Sequence, residues 1–206
     1  MARTRKKRNK TLNKKTHIYC EGFTEKHYFN MIKNKHRKAN LTIELDALGK
    51  GHKALVDKAI SKEKTNKSDT VVVVFDYDNN PTEDIVRALK LAKDHGYYVF
   101  YNNFSFELWL LLHFQQVTPF TPIESGQLNQ KLARYCNVDE WSEYKNAKFK
   151  EVEDVFKYNL EDAITNASKL NYADVSKSLE PHLITLNPYT NIHHDIKTIF
   201  NITGDL

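Results

Sequence analysis

Val71-Val72-Val73-Val74-Phe75 is an almost continuous β-branched run that ends in Asp76-Tyr77-Asp78. Apolar residues without alternation mark a central parallel strand covered on both faces. Parallel neighbours need crossover helices, so the run points to a layered α/β fold. A second apolar stretch, His17-Ile18-Tyr19-Cys20, ends in Glu21-Gly22 about fifty residues earlier. In an open α/β sheet, ligands gather outside the carboxyl ends of the strands. Three carboxylates placed there suit a divalent metal held against a phosphate.

The pattern along the chain supports this architecture. Residues 16–20 read as a short buried strand, Gly22 as a turn, and Thr24 as a helix N-cap. A helix follows from Glu25 to Arg37 with Tyr28, Phe29 and Ile32 inward. Leu41 to Leu48 alternates as a strand, and Lys53 to Glu63 suits a second helix. Asn79-Asn80-Pro81 breaks the valine strand, Thr82 to His95 forms a third helix, and Gly96 stands in its stop position. Tyr97 to Tyr101 reads as a fourth strand, and Phe106 to Phe114 as a very apolar helix. Helical patterns recur near 127–136, 150–169 and 189–201, with no strand among them. The expected fold is α/β, a parallel sheet flanked by helices with a C-terminal helical extension. Its parts are a basic disordered tail (1–15), the α/β domain (16–115) and the extension (116–206).

The candidate chemistry lies at the strand ends. Asp76 and Asp78, at i and i+2 on an extended segment, point to one side. Two close carboxylates repel unless a cation sits between them, and oxygen donors of this kind suit Mg²⁺ or Mn²⁺. Glu21 joins them if the first and third strands are neighbours, either as a metal ligand or as a general acid/base. Glu25 and Lys26, in the next helix, either face the site or are surface charges. Glu107 opens the apolar helix at the same edge, as a site residue or as a carboxylate favoured by the helix dipole. His113 cannot share a face with Glu107 and reads as a core histidine. Gly49-Lys50-Gly51-His52-Lys53 lacks the Walker spacing, yet Lys50 and Lys53 are candidates for a phosphate contact. His193 is a candidate nucleic-acid contact, with a polar helix start as the alternative.

Charge is unevenly spread. Residues 1–15 hold eight of the 31 basic residues, Arg5, Lys6, Lys7 and Arg8 among them, and no acid. The remainder is mildly acidic, with 23 basic residues against 26 acidic ones. Such a tail either attracts polyphosphate through counterion release or is simply solvated. The two cysteines, Cys20 and Cys136, have no zinc spacing, and Cys20 reads as a small hydrophobe in a strand. No apolar run is long enough to span a membrane, and the basic start is not followed by a signal-peptide pattern. A reduced, cytoplasmic setting is the expectation.

Glu21-Gly22-x-Thr24-Glu25-x-x-Tyr28-Phe29 followed by Asp76-x-Asp78 resembles a Toprim domain, the fold shared by topoisomerases, bacterial primases and OLD-type nucleases. Asn103-x-Ser105-Phe106-Glu107-Leu108-Trp109-Leu110-Leu111-Leu112-His113-Phe114, with Asn187-Pro188-x-Thr190-Asn191-Ile192-His193, resembles RloB-like proteins of restriction and phage-defence loci. The resemblance implies Asp76 and Asp78 as the metal pair and Glu21 as the acid/base or metal-adjacent glutamate. Phe23 departs from the polar residue expected after Gly22. A Mg²⁺- or Mn²⁺-dependent nuclease on DNA or RNA, in phage defence, is the leading expectation, acting alone, as a dimer or on release by a sensor partner. Toxin-like RNA cleavage is a variant of it. The alternative is a non-catalytic module that binds nucleic acid or a partner. A topoisomerase needs a further large domain, and a primase needs zinc cysteines that this sequence lacks.

Overall fold

The computed structural model describes residues 14–45, 51–62 and 69–202. Five strands form one sheet: β1 (Thr16–Cys20), β2 (Leu41–Leu45), β3 (Thr70–Asp76), β4 (Tyr98–Asn103) and β5 (Tyr189–Thr190). Their spatial order is β2-β1-β3-β4-β5. The first four are parallel and β5 pairs antiparallel with β4. In register, Cys20 lies opposite Val74 and Asp76 opposite Asn102, so the acidic strand ends meet at one edge.

The crossovers are α1 (Phe23–Lys35), α2 (His52–Lys62) and α3 (Thr82–Asp94). After β4 come α4 (Glu107–Leu111), α5 (Ser125–Cys136), α6 (Trp141–Glu143) and a π-helical turn (Tyr144–Lys148). The remaining helices are α7 (Phe149–Phe156), α8 (Leu160–Ser168), α9 (Val175–Ser178), α10 (Pro181–Ile184) and α11 (Ile192–Phe200).

Because side chains alternate along a strand, the valine run feeds two cores. Val72 and Val74, with Ile18, Cys20 and Phe100, pack on one face against Phe29, Trp109, Phe156 and Phe200. Val71, Val73 and Phe75, with Tyr19, Val99 and Tyr101, pack on the other against Leu55, Ile85, Leu89 and Ile184. All six residues from Val71 to Asp76 are buried, as the expected central strand requires. Gly96 follows α3 with φ +70°, a conformation that strains any residue with a Cβ.

Three local expectations are corrected. The α1 cap is Gly22, with no side-chain hydrogen bond, and Thr24 lies buried inside the helix. Asp78 is not on the extended segment: β3 ends at Asp76, and Asp78 has φ +40° in a turn where its N–H is bonded to the Phe104 carbonyl at 3.3 Å. The segment expected as helix from 189 begins instead with β5, because Tyr189 and Thr190 complete the sheet edge at Asn103 and Asn102. Cys20 is fully buried with its thiol on the Glu44 carbonyl at 3.6 Å. His113 is a core residue, with its Nδ1 donating to the Trp109 carbonyl at 3.0 Å and Tyr28 Oη donating to its Nε2 at 3.0 Å. Burial pushes His113 down to about 4, so it stays neutral.

Candidate active site

Five carboxylates line one cavity of about 250 Å³ at the carboxyl edge of the sheet: Glu21, Glu25, Asp76, Asp78 and Glu107. Glu21 follows β1, Glu25 lies in the first turn of α1, Asp76 ends β3, Asp78 sits in the next turn, and Glu107 opens α4. The parallel pairing of β1 with β3 makes Glu21 and Asp76 neighbours. Thr24, Ser105, Ser125 and Lys145 complete much of the wall. Lys145 is the basic residue of that lining, and its Nζ lies 3.9 Å from Glu107 Oε1. It projects from the π-helical turn, an irregularity often found at functional sites.

Asp76 is held from two sides. Its Oδ2 accepts the Phe106 N–H at 2.9 Å, and its Oδ1 accepts Asn102 Nδ2 at 3.0 Å. Asn102 Oδ1 in turn accepts the Thr190 hydroxyl at 2.8 Å. The β5 strand therefore fixes the Asn102 amide, and the amide fixes the aspartate. Glu21 has its own support, since His52 Nδ1 donates to Glu21 Oε1 at 2.9 Å while the imidazole stacks on Phe75 with ring centroids 4.9 Å apart. His52 Nε2 is buried without a hydrogen-bond partner. Glycine at 22 is explained by packing: a methyl group there would run into the Glu25 carboxylate, with Cδ only 3.1 Å away.

Crowding of like charge shows in the titration of these groups. Burial, and then Glu107, Glu21 and Asp78, push Glu25 up to about 8. Burial, Glu25 and Asp78 raise Asp76 well above the carboxylate range, against the Asn102 hydrogen bond. Asp78, exposed at the turn, is raised by partial desolvation of its carboxyl and by Glu107, while Lys145 pulls it down. Among the described residues, no three His, Cys, Asp or Glu side chains are gathered tightly enough to form a ready cation cage. The donor chemistry nonetheless fits a hard divalent cation of the kind that keeps several waters and takes one or two carboxylates. The raised carboxyl groups are what such a cation would relieve.

The structure brings together Glu21, Asp76, Asp78 and Glu107, and of the two readings of Glu25 it takes the one facing the site, buried in the cavity rather than a surface charge. Lys26 is half-buried beside this cavity's helix but is not part of the lining. Lys53 is exposed and paired with Asp57 at 2.7 Å. His193 lies on α11, half-buried and lowered to about 4 by desolvation and then by His194, away from the cavity. Arg5, Lys6, Lys7, Arg8 and Lys50 lie outside the described residues. Lys145 carries no signal in the sequence beyond its charge. His52 stands in the Gly49–Lys53 stretch, where no spacing sets it apart from its lysine neighbours.

No helix among the described residues is long and apolar enough to cross a membrane. Neither the curated proteins nor the solved structures contain a match to this chain. The model of one protein family, described as RloB-like protein, matches residues 16–199. That span contains the whole carboxylate cavity together with β5 and most of α11, and the chain accordingly belongs to the RloB-like family.

Proposed function

We propose that the carboxylate cavity is the active centre of a Mg²⁺- or Mn²⁺-dependent phosphodiesterase that cleaves nucleic acid. The observation that carries this reading is the convergence of five carboxylates and one lysine on a single cavity at the strand ends. Carboxylates so crowded destabilise one another, and a site that keeps them has a use for a cation. The arrangement also agrees with the resemblance to Toprim domains carried by Glu21, Asp76 and Asp78. Membership of the RloB-like family, with the resemblance to proteins of restriction and phage-defence loci, supports placing the activity in phage defence.

Asp76 and Asp78 are the residues to hold the metal, with Glu25 or Glu107 as further oxygen donors. A bound divalent ion would supply Lewis-acid stabilisation of charge on the phosphate. Glu21, oriented by His52, would move a proton to or from the attacking or leaving oxygen. Lys145 would face the phosphate across Glu107 and offset its growing negative charge. Asn102 and the Phe106 N–H keep Asp76 in one orientation throughout.

The test is cleavage of plasmid, single-stranded DNA, tRNA and total RNA with Mg²⁺, Mn²⁺ or EDTA. Metal-dependent cutting is expected, and Asp76→Ala or Glu21→Ala should reduce it by about a hundredfold or more in protein that still unfolds cooperatively. Cutting at an undiminished rate in both variants refutes the assignment.

A further inference from the structure

A second cavity, of about 470 Å³, lies beside the carboxylates. Its lining includes Tyr77, Asn79, Asn103, Phe104, Ser125 and Thr185. Ser125 lines both cavities. The partition between them is the Tyr77–Asn79 turn and the Phe104–Ser105 segment, tied together by the bond from the Asp78 N–H to the Phe104 carbonyl. Whatever occupies the second cavity thus sits one short step from Asp78.

The chemistry of its walls is specific. Phe104 is only half-buried and belongs to neither hydrophobic core. Its ring lines the cavity, where a planar group can stack on it. Asn103 is buried and held by its Nδ2 donating to the Ile184 carbonyl at 3.0 Å. Asn79 and Thr185 stand exposed at the rim with amide and hydroxyl groups. The described lining holds no lysine or arginine and one acid, Glu124, so it does not suit a phosphate. A ring for the face, with the exposed Asn79 amide and Thr185 hydroxyl for the edge, suits a neutral planar heterocycle, and the volume falls in the range of roughly 300–1,000 Å³ typical of small-molecule pockets.

We propose that this cavity receives one unpaired nucleobase of the strand whose phosphodiester lies at the carboxylates. The substrate is then single-stranded or locally unpaired nucleic acid, because a base inside a duplex presents neither a free face nor a free edge. The proposal rests on reading the carboxylate cavity as a nuclease centre, and it adds the substrate class.

The experiment uses the full chain in EDTA with single-stranded oligonucleotides carrying one 2-aminopurine, scanned along the strand, and with the same strands in duplex form. One position should change emission on binding. The single strand should bind at least about tenfold more tightly than the duplex, the scale expected of one base–aromatic stack. Phe104→Ala should abolish the emission change, and Phe104→Leu, which keeps the bulk, should abolish it too. An abasic nucleotide at the responding position should weaken binding to the unaltered protein by a similar factor, which removes any question of misfolding. Equal binding of duplex and single strand, or indifference to both Phe104 and the abasic change, overturns the proposal. If cutting requires Asp76 but ignores the abasic change, the base pocket falls and the nuclease stands. If the base is bound through Phe104 but no metal supports cutting, the pocket stands and the nuclease falls.

Discussion

Glu25 holds its proton near neutral pH because burial and three neighbouring acids oppose its charge. In the unfolded chain it releases that proton near 4.5, and in the folded protein at about 8. Between those values the folded state binds more protons than the unfolded one, so stability falls as pH rises. The contribution is fully present below about 4.5 and lost as pH rises through 8. Replacing the acid by its neutral isostere removes the penalty. Glu25→Gln should therefore gain stability over the parent near pH 8 and not near pH 5, read by urea unfolding at both. A difference that is the same at the two pH values refutes the assignment. Nothing in the sequence around Glu25 advertises this burial. It stands in a polar first helical turn beside Lys26, where a solvated pair is the ordinary outcome. Only the Gly22 backbone, with no methyl in the way, lets its carboxyl turn into the cavity.

Among the elements, β5 has the greatest influence for its length. Its two residues add the antiparallel edge, and Thr190 reaches Asp76 through the Asn102 amide. Thr190→Val keeps the shape but removes the donor to Asn102 Oδ1. The loss should cost about 1–3 kcal/mol, the range for a buried acceptor left without its partner, and should also reduce cleavage because the amide is free to rotate away from Asp76. Urea unfolding and the cleavage rate read the two effects; unchanged values in both reject the relay. The elements differ in how far they could be read from sequence. The valine run declared β3 because burial on both faces demands unbroken apolar residues. The place of Asp76 at the strand end followed from that run, whereas Glu21 was its neighbour only on the condition that the first and third strands pair, as they do. Two residues of β5 are too few to show a period, and Tyr189-Thr190 adjoins a true helical pattern, so the strand was hidden. The π-helical turn that presents Lys145 has no sequence period of its own either.

At the scale of the molecule, the helices after residue 116 are part of the main core. Ile18, Val72, Phe100 and Trp109 share one cluster with Leu128, Trp141, Phe149, Phe156, Leu160 and Ile196. Each such large side chain stabilises the fold by about 1.5–3 kcal/mol when buried, and the whole domain is stable by only about 5–15 kcal/mol. A fragment ending at residue 115 therefore loses more than it can spare. It should show no cooperative urea transition by circular dichroism; a sharp transition would mean that the sheet folds without its later helices. The relay from β5 to Asp76 has a consequence for synthesis on the ribosome. A growing chain that has reached α4 already carries all five acids and both direct partners of Asp76, yet Thr190, which fixes the Asn102 amide, is still some eighty positions from being made. On the proposed reading, the full support of Asp76 therefore arrives only once translation has passed Thr190, and a nascent chain shorter than that holds its five acids without it.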